Sequence, residues 1–107
     1  WAGRWEGTTW LYGRKANVTL QLALDGAACS GTWTVFALEP PTSTVLGLER
    51  CAVSAEGLRF TVRPLFLTAE THEARMENGA LQGRVTLQSA SPYHRQTGTW
   101  TLQRVAK

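Results

Sequence analysis

The sequence predicts an all-β domain, a single up-and-down antiparallel barrel of about eight strands spanning residues 1–107. Three observations carry that expectation. Gly, one spacer and a large apolar residue recur in Gly3-Arg4-Trp5, Gly31-Thr32-Trp33, Gly83-Arg84-Val85 and Gly98-Thr99-Trp100. Residues two apart in a strand point to one side of a sheet, so each Gly vacates space beside a bulky neighbour and lets the strand bend. Apolar and polar residues alternate with period two along most of the chain, and no segment sustains a 3.6-residue period. Turn residues punctuate these runs at hairpin intervals.

Taken in order, the first strand carries Trp5 and Trp10 and ends at Tyr12-Gly13-Arg14-Lys15. Val18, Leu20, Leu22 and Leu24 alternate with Thr19, Gln21 and Ala23 before an Asp25-Gly26 turn. Gly31, Trp33 and Val35 share the dry face of the third strand, which Glu39-Pro40-Pro41-Thr42 ends. Val45, Gly47, Glu49, Cys51 and Val53 share parity in a fourth. After Glu56-Gly57, Leu58, Phe60 and Val62 alternate with Arg59, Thr61 and Arg63 until Pro64 stops the ladder. Residues 65–76 read as a strand with Leu65, Leu67 and Ala69 facing in and Phe66, Glu70 and His72 facing out; a short helix over residues 69–76 is the alternative. Glu77-Asn78-Gly79 introduces the Leu81, Gly83, Val85, Leu87 strand, and the segment from Ser89 to Arg95 leads to Gly98, Trp100 and Leu102. Short connections pair consecutive strands, and joining the first strand to the last removes the exposed edges. An open sandwich of two sheets would satisfy the same pattern.

With 107 residues, 43% of them hydrophobic and 18% charged, the chain is long enough to bury a core without a metal. The net charge of +3 is spread out, with no basic cluster longer than Gly13-Arg14-Lys15, which argues against a nucleic-acid partner. No apolar run approaches the ~20 residues of a membrane helix, so membrane insertion is not expected. Cys29 and Cys51 are the two cysteines, and a bridge between neighbouring strands is expected to join them. Such a bridge implies an oxidising compartment, secreted or periplasmic. The alternative is a pair of buried thiols acting as small hydrophobes.

Catalysis needs a nucleophile with a base and an orienting group, or a set of metal ligands. His72 and His94 are the only histidines. Glu70 and His72 share a strand face, but two ligands fall short of a zinc site, so a solvated His–Glu pair is expected. The chain carries no Gly-rich phosphate loop, nucleophile elbow or Cys-x-x-Cys. It is therefore expected to be non-enzymatic, without cofactor or metal.

Binding candidates remain. Trp10 has the parity opposite to Trp5, which exposes it beside Tyr12 as a contact patch; a bulge at Gly7 would instead bury it. Glu49 shares parity with Cys51 and Val53, which aims it into the barrel unless a bulge near Gly47 breaks the alternation. Tyr93, His94 and Arg95 sit in the longest polar loop, and loops on rigid barrels often carry binding groups.

The order of these signals resembles small all-β domains of unknown function in bacterial exported proteins, some attached ahead of an α/β-hydrolase domain. The matching segments are Gly3-Arg4-Trp5-Glu6-Gly7, the strand from Leu20 to Gly26, Gly31-Thr32, Val45 to Val53 and Gly57 to Val62. Asn78-Gly79-Ala80-Leu81-Gln82-Gly83 and the closing Gly98-Thr99-Trp100-Thr101-Leu102-Gln103-Arg104 complete the set. The paired Gly-Thr-Trp segments are also similar to avidin and lipocalin-type barrels, without the polar constellation of a biotin site. The resemblance implies a calycin-like small barrel and assigns no ligand to it. The expected function is a non-catalytic, exported binding module for a small apolar or amphipathic ligand. Its ligand-binding candidates are Trp10, Tyr12, Glu49, Tyr93, His94 and Arg95. A protein-interaction or inhibitor-type module with a packed interior is the alternative.

Overall fold

The computed structural model describes residues 1–11, 14–38, 41–63, 68–89 and 96–105. Nine antiparallel strands run through them: β1 (Gly3–Leu11), β2 (Arg14–Asp25), β3 (Ala28–Leu38), β4 (Pro41–Gly47), β5 (Glu49–Ser54), β6 (Gly57–Val62), β7 (Thr68–Glu77), β8 (Ala80–Ser89) and β9 (Gln96–Arg104). Eight of them close into a barrel in the order β2-β1-β9-β8-β7-β6-β5-β3, with β3 pairing back onto β2, and β4 is the extra strand. The expected joining of first strand to last is present: β1 and β9 pair from Trp5↔Arg104 to Trp10↔Thr99. Residues 69–76 lie within β7, so strand rather than helix is the outcome there.

The fourth strand of the sequence reading divides in two. β4 and β5 follow one another along the same edge of β3, with Gly47 opposite Thr32 and Ala52 opposite Ala28. Between these pairs four residues (48–51) therefore face three (29–31), and the surplus is taken up as a bulge between Glu49 and Ala52, with Arg50 at φ +52°. Parity flips across it. Cys51 is buried and Val53 packs on the core, whereas Val45 faces out, 64% exposed. β6 takes the far edge of β5 but not of β4, so among the described residues no strand pairs with the second edge of β4.

That seam is thin. The β3–β5 pairing consists of Ala28↔Ala52, supported by Val53 N donating to Ala27 O (2.8 Å). The Cys29–Cys51 disulfide crosses it, with Cα atoms 4.9 Å apart. The expected bridge is therefore formed, where the ladder joining the wall is shortest.

Within the barrel, Trp5, Trp33, Phe60, Leu20, Leu58, Leu81 and Leu102 are almost fully buried, and Trp100 joins them. Glycine makes this packing possible, chiefly by accommodating a partner across the ladder. Gly83 lies directly opposite Trp100, and a methyl group there would overlap the Trp100 indole. At Gly31 (φ +147°) a Cβ would overlap the Gln21 carbonyl oxygen, so the positive φ and the close approach both require glycine. We expect Gly83→Ala to cost about 2–3 kcal/mol through forced displacement of Trp100. Urea denaturation followed by tryptophan fluorescence checks this; a loss below about 0.5 kcal/mol would contradict the packing.

The two barrel ends differ. Asn78-Gly79, both at positive φ, makes a tight two-residue turn between Glu77 and Ala80, and Gly26 and the β5–β6 turn close the same end. At the opposite end lie the strand termini that flank residues 12–13, 39–40, 64–67 and 90–95. We refer to this as the loop end.

Candidate functional site

Alternation in β7 places Glu70, His72 and Ala74 inward, because Thr71, Glu73 and Arg75 take the wet face. The expected solvated pair is thus overturned: His72 is 1% exposed and Glu70 7%. Register explains why. The Asn78-Gly79 turn pairs Glu77 with Ala80, which sets His72 opposite Val85 and Glu70 opposite Leu87, both inward residues of β8. The solvated reading rested on residues 65–67, which lie outside the described residues.

His72 is enclosed by rings. It stacks on Phe60 (centroids 4.7 Å apart, planes at 10°), touches Trp33 (4.6 Å) from the opposite wall and lies 6.1 Å from Trp100. Trp100 Nε1 donates to His72 Nδ1 at 3.0 Å. An indole N–H can only donate, so Nδ1 must accept and the imidazole proton sits on Nε2. That proton points at Glu70 Oε1, 3.1 Å away. Burial lowers the His72 pKa from its ordinary 6.5, and the hydrogen bond and charge of Glu70 oppose that shift.

The sign of the pH effect follows. The unfolded chain takes up the His72 proton near its ordinary value, while the fold resists it to lower pH. Stability is therefore complete above about 6.5, falls as pH drops below it, and levels once the folded imidazole itself is protonated. Urea midpoints are expected to drop between pH 7.5 and 5.5, and that part of the slope disappears in His72→Gln. Equal slopes in the two proteins would contradict the assignment.

Trp33, Phe60, His72 and Trp100 together span the interior as a floor. Below it, toward the tight-turn end, the barrel is filled by Trp5, Leu20, Leu22, Leu58, Leu81 and Leu102. Toward the loop end the inward positions among the described residues include Thr9, Val62, Glu70 and Leu87, which are buried, and the short Ala16, Val35 and Gly98. Ala16, Val35 and Gly98 are only half-buried although they face in. Above the floor the interior thus keeps solvent access at these three short residues, within the cross-section that eight strands fix, and we call this accessible part the recess. Thr9 Oγ1 is turned to the wall, donating to Thr99 O at 3.3 Å.

The sequence candidates fall as follows. Trp10 faces outward at the loop end of β1, 52% exposed, and the uninterrupted β1–β2 register shows no bulge at Gly7. Glu49 faces away from the interior, because the bulge turns it outward into an ion pair with Arg63 (3.1 Å). The inward reading of Glu49 is thereby corrected. Tyr12, Tyr93, His94 and Arg95 lie outside the described residues.

An open groove of about 650 Å³ lies on the outer wall, lined by Arg59, Glu73, Arg75, Glu77 and Arg84 among others. Its charges alternate in sign, and Arg59 and Glu73 approach within 3.7 Å across it. Among the described residues no three His, Cys, Asp or Glu side chains gather as metal ligands. The fold and site define a closed, disulfide-stapled antiparallel β-barrel with a polar group buried at its floor. Compared with protein-family models, curated proteins and solved structures, the chain shows no significant match.

Proposed function

We propose that the protein is a non-catalytic, exported binding module that holds one small apolar or amphipathic ligand at the loop end of the barrel. The observation that carries this reading is the asymmetry of the interior. Large rings and leucines fill one half, while in the other half Ala16, Val35 and Gly98 face inward and keep solvent access. Burying apolar ligand surface there would contribute roughly 25 cal/mol per Å². The Cys29–Cys51 bridge supports export, since such bonds persist in oxidising compartments.

Titration with the neutral dye Nile red tests the reading. Saturable 1:1 binding is expected in the wild type, and Val35→Phe, which fills the recess, is expected to weaken it at least tenfold while remaining folded. Absence of saturable binding to the wild type would overturn the ligand reading.

A second reading, a protein-interaction module, draws on a different observation. β4 has an edge that no strand among the described residues covers, it carries exposed Val45, and Phe36, 40% exposed, stands on the neighbouring strand. Binding of a partner there would leave the recess unused.

A further inference from the structure

Immediately above the floor the inner wall carries the carboxyl group of Glu70, and its setting indicates which ligands it would select. We infer that Glu70 receives the ammonium group of an amphipathic amine whose alkyl part occupies the recess, an assignment that rests on the ligand-binding reading above.

Four observations lead there. Glu70 is on the inner wall between Val62 and Leu87, so the surfaces flanking it are apolar. Its Oε1 is held from below by His72 Nε2–H, and His72 is itself fixed by Trp100 and stacked on Phe60. The carboxyl is thus oriented by two linked hydrogen bonds before any ligand arrives, the arrangement that lowers the cost of binding. Among the described residues no Lys or Arg stands within ion-pair distance of it, and the neighbouring imidazole is held neutral by the Trp100 N–H. Among the described residues, this carboxyl therefore has no partner of opposite charge of the kind that ordinarily accompanies burial.

A cation entering from the loop end would supply that charge, with charge-assisted hydrogen bonds to the carboxylate. An alkanoate of equal length would place like charges together and be rejected. An alkanol would fill the same apolar space with only a neutral hydrogen bond. The site therefore discriminates by the head group, while the tail is read by half-buried Ala16 and Val35.

Calorimetric titration at pH 7.5 with n-octylamine, n-octanol and n-octanoate tests the inference. Octylamine is expected to bind at least tenfold more tightly than octanol, and octanoate more weakly than either. Glu70→Gln is expected to bring octylamine down to the octanol affinity, with Nile red binding retained. The ranking of the three probes on the wild type decides the question even if Glu70→Gln does not fold. Nile red binding combined with equal affinity for octylamine and octanol, or preference for octanoate, would overturn the ammonium assignment and leave the apolar recess standing. Failure of Nile red and all three octyl compounds to bind would overturn both.

Discussion

His72→Ala is expected to destabilise the barrel by about 4–5 kcal/mol, a large share of the 5–15 kcal/mol typical of a domain. Three losses combine. The Trp100 Nε1–H is left without its acceptor and Glu70 without its Nε2–H donor, each costing about 1–3 kcal/mol when buried. The ring's removal also opens a cavity between Phe60 and Trp33, now at van der Waals contact with it. Such losses overlap, so their sum exceeds the expected total. His72→Gln keeps a donor that can reach Glu70 and is expected to lose roughly half as much. Guanidinium denaturation read by far-ultraviolet circular dichroism measures both. A loss under about 1 kcal/mol for His72→Ala would refute the interior placement of this side chain.

Removing the disulfide is expected to cost about 3 kcal/mol, the chain-entropy value for a separation of 22 residues. The effect has a location as well as a size. β5 is attached to β3 by a single bridge pair, with the bulge immediately adjacent, so the covalent link reinforces the segment least able to hold itself. In Cys29→Ala/Cys51→Ala, amide exchange is expected to accelerate first at Leu48 and Val53, whose N–H groups bond to Gly31 and Ala27. Leu20 and Trp100, within long ladders, are expected to retain protection relative to those two. Uniform acceleration across all four amides would mean the bridge stabilises the barrel as a whole rather than at this seam.

The barrel was legible because each of its determinants is local. Period-two runs such as Val18-Leu20-Leu22 identify a wet and a dry face without knowledge of partners, and Asp25-Gly26 and Asn78-Gly79 identify turns. Closure followed from the Trp-bearing strands near both ends, whose joining removes the exposed edges. The floor of the recess was hidden for the opposite reason. A Glu and a His two apart are polar by any local measure, and only pairing shows them to be interior. The information was nonetheless present: a two-residue Asn78-Gly79 turn sets Glu77 opposite Ala80, and counting back puts His72 opposite Val85. Glu49 misled through the converse effect. Its parity with Cys51 is sound along the chain, yet the surplus residue near Arg50 reverses the face between them. A bulge of that kind is visible only when two strands are laid side by side.

The β1–β9 ladder has a consequence for how the chain reaches this structure. It sets Trp5 beside Arg104, so the final stretch of wall forms only when nearly the whole chain has been drawn into a ring. The β1–β2 and β7–β8 hairpins can form early, within about 1–10 μs, since each needs only a short turn. Sealing the ring carries the entropy of the largest loop available, and proteins dominated by such distant pairings fold over about milliseconds to seconds. The rate at which the last strand finds the first is thus expected to set the folding clock.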